Sequence, residues 1–215
     1  MEEQVTYRAY EERDFAAVVR LIEDVWDYEA VGSAQLARHL AELDLMDVLR
    51  TRSFSQVALL DGAPVGFIFG ERTGTPCDPR YDFRTRQARR GLRRQPLGLF
   101  LSALDRQLDR INRKLLKRSG NTYDAQLSYF ALREDCRGRG VGAALYEAFR
   151  QAMARQGAET FCVYTDTASS YGFYEHMGMV RRAVYSFKLP LWQEGGTDFY
   201  LYDGVCGEQE PGGNA

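Results

Sequence analysis

From Asp14 to Trp26 the apolar residues Phe15, Val18, Val19, Ile22 and Val25/Trp26 recur every three to four positions, the spacing of a helix with one buried face. Asp14 is placed to cap it. Leu36, Leu40, Leu43 and Met46 repeat the pattern over a second helix, roughly Ser33 to Arg50, with Ser33 as its cap, and a short strand-like run, Val5 to Ala9, precedes both. The period then shortens. Gln56 to Leu60 and Pro64 to Gly70 read as two strands joined by the tight turn Asp61-Gly62, a strong hairpin signal. Further along come a strand from Ala125 to Leu132, a helix from Gly138 to Gln156 closed by Gly157 as its C′ residue, and a strand from Thr160 to Thr165. A short helix over Ser169 to His176 and strands over Val180 to Leu189 and Asp198 to Val205 complete the pattern, and the tail from Gly207 is expected to fray. Interleaved strands and helices without internal repeats predict one α/β (α+β) domain over residues 1–206 and a flexible tail over 207–215.

Residues 72–118 break the rhythm. They carry fourteen Lys/Arg against four Asp, a charge of +10 that leaves −12 on the rest of a chain whose total is only −2. The first part, rich in Gly, Pro and Arg, reads as a loop, with Arg84 to Arg94 too polar to bury and therefore mobile. The second, Pro96 to Lys117, places Leu97, Phe100/Leu101, Leu104, Leu108, Ile111 and Leu115 at helical spacing. A helical basic insert of this kind suits a lid or an element that recognises an acidic or phosphate-bearing acceptor. A solvated loop or an oligomer contact are the other readings.

The remaining composition mostly excludes. With 215 residues, 45% hydrophobic and 13% aromatic, the chain can bury a sizeable core, so disorder and fibrous folds fall away. Only His39 and His176 are available, which removes the usual histidine-based zinc sites, and no metal is expected. Cys77, Cys136, Cys162 and Cys206 form no CxxC pair, and the N-terminal MEEQVTYRAY lacks the apolar run of a signal peptide, so a reduced cytoplasm is expected. The longest apolar stretch, Val57 to Gly70, is broken by Asp61, Gly62 and Pro64, and no membrane partner is expected.

The segment richest in chemistry joins the strand at Ala125 to Leu132 to the following helix through Arg137-Gly138-Arg139-Gly140-Val141-Gly142. Glycines spaced by two allow a tight turn and bring backbone N–H groups to a ligand at a helix N-terminus, where the dipole favours negative charge. Arg137 and Arg139 add charge suited to phosphate. No Lys-Ser or Lys-Thr follows, so this is not a Walker A loop, and position 145 is Leu where a dinucleotide fold needs its third glycine.

This run resembles the acetyl-CoA signature of the GNAT superfamily of N-acetyltransferases, Arg/Gln-x-x-Gly-x-Gly/Ala. Phe173-Tyr174-Glu-His-Met-Gly178-Met179 is similar to a second family segment, and the order of elements looks like the same fold across most of residues 5 to 205. The resemblance implies a central mixed, twisted sheet of about six to seven strands flanked by helices, with acetyl-CoA as co-substrate. It implies that the amides of Arg137, Gly138, Arg139, Gly140, Val141 and Gly142 hold the CoA diphosphate and that the Leu132 main chain bonds the pantetheine arm. Family members often have Pro where this chain has Glu134 and Asn where it has Thr167, so the resemblance implies a CoA contact at Thr167 that its hydroxyl either replaces or loses. Tyr174 matches the family's tyrosine, and a phenol can protonate the departing thiolate. Asp166, Glu134, Glu71, Asp198 and His176 are open as general bases, and Cys136 and Cys162 are not needed as acyl carriers. The expected function is direct acetyl transfer to an amine, of a small molecule or a peptide. Nucleic acid is not expected as a partner, and a homodimer is compatible with the sequence. The alternative is a CoA-responsive or nucleic-acid-binding module without turnover, carried by the basic block.

Overall fold

A computed structural model describes residues 4–26, 33–95, 97–187 and 196–207. Seven strands form one sheet: β1 (Thr6–Arg8), β2 (Phe54–Leu60), β3 (Ala63–Arg72), β4 (Ala125–Leu132), β5 (Thr160–Asp166), β6 (Val180–Phe187) and β7 (Thr197–Val205). Six helices flank it: α1 (Phe15–Trp26), α2 (Ala34–Thr51), α3 (Pro79–Leu92), α4 (Gly98–Ser119), α5 (Val141–Arg155) and α6 (Gly172–His176). The strand order is β1-β2-β3-β4-β5-β7-β6, antiparallel throughout except for the parallel pair β4 and β5. The mixed sheet anticipated above is therefore present. Asp61 and Gly62 turn the β2–β3 hairpin with φ of 51° and 78°, as the Asp-Gly signal requires. The expected strand end at 188–189 and the tail beyond Gly207 lie outside the described residues.

Three expectations are corrected. Asp14 does not cap α1 but ends a 3₁₀ turn over Glu12–Asp14, where its carboxylate accepts the Glu11 N–H at 2.9 Å. The signature helix begins at Val141 rather than Gly138, because Gly138 and Gly140 take the left-handed φ values of 71° and 79° that end helical continuity. Most consequentially, the arginine-rich stretch Arg84 to Arg94 is for the most part helix α3, not a mobile loop. Asp78 caps it by accepting the Arg80 N–H, Pro79 stands in its first turn, and Tyr81, Thr85 and Leu92 bury one face. Three of its arginines are paired: Arg84 with Glu12 at 3.0 Å, Arg86 with Asp82 at 2.5 Å, and Arg89 with Asp47 at 2.5 Å and Asp105 at 3.5 Å. The chain then turns a tight corner into α4. There a Cβ on Gly98 would stand 1.7 Å from the Leu92 carbonyl oxygen, so only glycine fits without moving backbone.

Alternation along the strands sends successive side chains to opposite faces and builds three cores. On one face α5 and α6 cover Ile68, Leu127, Phe161, Val163, Tyr200 and Tyr202. On the other, α1, α2 and α3 pack over Val57, Phe67, Phe69 and Ala131 of β2 to β4, while α4 packs through Ile111 and Leu115 over Cys162, Leu201, Phe199 and Ala183 of β5 to β7. Leu101, near the start of α4, belongs to the first of these two cores, so α4 bridges both halves of that face.

The first turn of the chain is locked by an ion pair. Arg8 gives two hydrogen bonds of 2.6 and 2.7 Å to Asp14, which is only 4% exposed. Burial pushes the Asp14 carboxyl up, but Arg8 and the Glu11 N–H outweigh it and hold the group below its ordinary value. A folded-state value below the unfolded one means that this stabilisation is complete above the ordinary carboxylate range and is lost as pH falls through the folded value. Asp14→Ala leaves Arg8 with only Glu11, at 3.9 Å, as an acidic partner and is expected to cost about 3 kcal/mol, or roughly 6 to 12 °C in Tm near neutral pH. The difference should shrink in calorimetric scans as the pH approaches 3. An unchanged Tm at pH 7 would rule the lock out.

Candidate active site

The two parallel strands separate almost as soon as they meet. Among the described residues β4 and β5 pair only at Ala125 with Phe161 and Gln126 with Cys162, although β4 runs on to Leu132 and β5 to Asp166. Over Leu127 to Leu132 β4 is therefore bonded to β3 on one side and open on the other. The register also slips there: Phe69 faces Tyr129 and Gly70 faces Leu127, so Ser128 is an extra residue in a bulge. Its hydroxyl oxygen is buried and has no hydrogen-bond partner among the described residues.

At the C-terminal end of this opening the chain makes its glycine turn. Gly138 and Gly140 adopt left-handed φ, and a Cβ built on either meets nothing within 4 Å, so the backbone there faces open space. Helix α5 starts at once, with Gly140 as its cap residue and no acid in its first turn. Its leading N–H groups have no partner within the helix, and an anion is the natural complement. Arg137 and Arg139 are exposed beside it. The residues thus fit a phosphate-bearing ligand. A Cβ on Gly142 would lie 3.4 Å from Phe173 and 3.5 Å from Phe130, at ordinary contact distance, where α5 packs against β4 and α6.

That packing sets Tyr174. Phe173 lies with ring centroids 5.2 Å from Phe130 and 5.8 Å from Tyr146, which draws α6 onto the first turns of α5 and the end of β4. The next residue, Tyr174, is 9% exposed, its ring 5.9 Å from that of Tyr202. Burial, with Tyr146 adding to it, raises the phenol well above its ordinary value, so it carries its proton throughout the physiological range. The glycine turn adjoins the open flank of β4, and α6 holds Tyr174 in the core that α5 covers.

The sequence profile of the acetyltransferase (GNAT) family matches residues 18–179. The chain belongs to the GNAT acetyltransferase family. Solved structures share its fold at low identity. Ard1 from Thermoplasma volcanium is 19% identical, covering 95% of this chain and 99% of its own, with a TM-score of 0.55. The ribosomal-protein-S18-alanine N-acetyltransferase from Escherichia coli is 12% identical, covering 99% and 100%, with a TM-score of 0.55. An N-acetyltransferase from Staphylococcus aureus Mu50 is 10% identical, covering 94% and 98%, with a TM-score of 0.53. No curated protein matches the chain.

In this GNAT chain the other candidates divide by what already holds them. Leu132 ends β4 opposite Gly66, where its side chain packs so closely that a Cβ on Gly66 would stand 2.7 Å from it. Thr167 is exposed and gives its N–H to the Asp198 carbonyl at 3.0 Å. Asp166 accepts from the Ala168 and Ser169 N–H groups at 2.9 and 3.0 Å and from the Ser169 hydroxyl, so it is committed to the turn after β5. Glu134 and His176 are exposed, His176 at the last residue of α6. Glu71 lies opposite Gln126, near the closed end of the opening. Cys136 and Cys162 are buried, and burial pushes the Cys162 thiol up to about 12, which suppresses a thiolate. Among the described residues no cluster of His, Cys, Asp or Glu could hold a metal, and no helix is long and apolar enough to cross a membrane.

Sequence reading missed a second group on the opposite face of β4. Tyr129, just past the bulge, stacks at 4.7 Å on Trp26 at the end of α1, and its hydroxyl lies 3.3 Å from Asp44 of α2. Three residues so far apart in the chain give no local signal.

Proposed function

We propose that the protein transfers an acetyl group from acetyl-CoA directly to an amine. The observation that carries the reading is the pair of left-handed glycines, open to space, at the N-terminus of α5 beside the unpaired flank of β4. The leading amides of α5, with Arg137 and Arg139, suit the diphosphate, and the open edge of β4 up to Leu132 offers main-chain hydrogen bonds to an extended arm. When bound, acetyl-CoA supplies the activated acyl group. The acceptor amine must be deprotonated to attack, and a backbone N–H near Leu132 is suited to stabilising the charge that develops on the carbonyl oxygen. Tyr174 gives its proton to the sulfur as the carbon–sulfur bond breaks, forming the thiol and the amide. Arg84 and Arg89 of α3 pair with Glu12, Asp47 and Asp105 of the body, which supports a structural part for these two cations of the basic block. The test is release of free thiol from acetyl-CoA over a panel of amines. Amine-dependent release with an acetylated product supports transfer, whereas CoA binding without turnover on any amine, peptides included, would overturn it.

A further inference from the structure

Both helices of the insert turn a second stripe outward, away from the sheet. On α3 the side opposite the buried Tyr81, Thr85 and Leu92 carries Phe83, Gln87 and Arg90, all exposed, with Arg93 and Arg94 exposed just past the helix end. On α4 the side opposite Leu101, Leu108, Ile111 and Leu115 carries Leu99, Ala103, Arg106, Arg110, Arg113 and Lys117. These six follow one another at steps of three and four, are all exposed, and form a line about 27 Å long. The tight corner between the helices, where Gly98 packs on the Leu92 carbonyl, turns Leu97, Leu99 and Phe100 into solvent at 44%, 68% and 40% exposure, and Phe83 stands at 62%.

Neither stripe contains a carboxylate. Among the described residues Arg90, Arg93, Arg94, Arg110, Arg113 and Lys117 have no acid within ion-pair distance, unlike Arg84, Arg86 and Arg89. Asp105 and Asp109 stand on the flank of α4 that faces Arg89, where Asp105 also feels Arg106. On the opposite flank Lys114 donates to the Tyr185 hydroxyl at 2.9 Å and Arg118 to the Val184 carbonyl at 2.6 Å, so two further cations reach β6 without meeting a carboxylate. The outward surface is thus cationic along its length and apolar at its corner. That combination separates the partners it could meet. A merely solvated face has no use for four exposed apolar side chains, and a phosphate strand would engage the cations but not the corner. A second copy docked isologously would set the same cations against one another. A lipid surface with anionic headgroups suits both features at once.

We propose that the outward face of α3 and α4 docks on an anionic lipid surface, with Leu97, Leu99 and Phe100 entering the boundary between headgroups and acyl chains and the cations of both helices lying over the headgroup phosphates. The attachment is peripheral and reversible. Among the described residues no helix is long and apolar enough to cross a membrane, and the broken apolar run from Val57 to Gly70 argues against a span but not against a docked surface. Both signals are needed, because a few shallow side chains bind weakly and exposed charges are screened by salt. The proposal is independent of the acetyltransferase reading above.

The experiment is co-sedimentation of the full chain with vesicles of phosphatidylcholine alone and with vesicles containing about a quarter phosphatidylserine. Binding is expected to the second kind only, and should fall as salt is raised. Arg110→Ser combined with Arg113→Ser and Lys117→Ser should weaken it roughly 100-fold, about fivefold for each cation removed from the surface. Leu99→Asp should weaken it at least about tenfold at unchanged Tm, since the position is exposed and only the corner is altered. A wild-type protein that stays in solution with both kinds of vesicle at low salt overturns the proposal. Vesicle binding that Leu99→Asp leaves unchanged does so too, because charge alone then accounts for it. Tighter binding to a duplex RNA oligonucleotide than to vesicles, equal in wild type and Leu99→Asp, or a dimer in sedimentation velocity that Leu99→Asp dissociates, would likewise replace the lipid surface with another partner.

Discussion

Gly140→Asp should weaken CoA binding by at least about 100-fold, near 3 kcal/mol, in a protein that remains folded. Two effects coincide at this position. The residue has φ of 79° at the cap of α5 and faces open space, so a side chain there projects into the volume an anion must fill. A carboxylate also reverses the field that the helix N-terminus provides. Gly140→Asn separates the two, because it has the same shape and backbone demand without the charge and should lose much less affinity. Gly142→Ala serves as the opposite control, since its Cβ meets Phe173 and Phe130 only at ordinary contact distance and CoA affinity should stay within a few-fold. Calorimetry on the three variants decides: wild-type affinity in folded Gly140→Asp would place the anion site elsewhere.

Tyr174→Phe should lower kcat by about 100-fold while the CoA dissociation constant stays within about twofold, the pattern of a lost proton donor rather than a lost contact. The ring is held by Phe173 and Tyr202, so the phenyl group keeps its place. The direction of the pH dependence follows from burial. The Tyr174 phenol is raised above its ordinary value, the acid form is the active one, and so no alkaline loss of activity assignable to Tyr174 should occur between pH 7 and 10. Single-turnover measurements are the check, because they isolate the chemical step from release of products. Equal single-turnover rates in the two proteins would leave Tyr174 as a packing residue alone.

The elements legible in advance are those where one local rule dominates. The hairpin at Asp61-Gly62, strand β4 from Ala125 to Leu132 and the Ser33 cap of α2 follow from turn chemistry, period and capping. Helix α3 was hidden because only Tyr81, Thr85 and Leu92 are buried among its arginines, and the ion pairs that make a polar helix tenable join it to Glu12 and Asp47, far away in the chain. The same limit applies at the site. Gly138 and Gly140 announce themselves by spacing, whereas the β4 bulge at Ser128 depends on a register with β3 that no single segment encodes. The grouping of Trp26, Asp44 and Tyr129 is likewise a product of tertiary packing.

Helix α4 also has a mechanical consequence. The two halves of the sheet are joined directly by only two residue pairs between β4 and β5, a hinge at one end of a V. A strap rooted in both cores spans the arms: spreading them would pull Leu101 out of one core or Ile111 and Leu115 out of the other, each with the loss of about 2 kcal/mol per exposed aliphatic side chain. The insert therefore behaves as a tie-rod. Opening of the split sheet at that hinge carries the cost of this buried apolar surface.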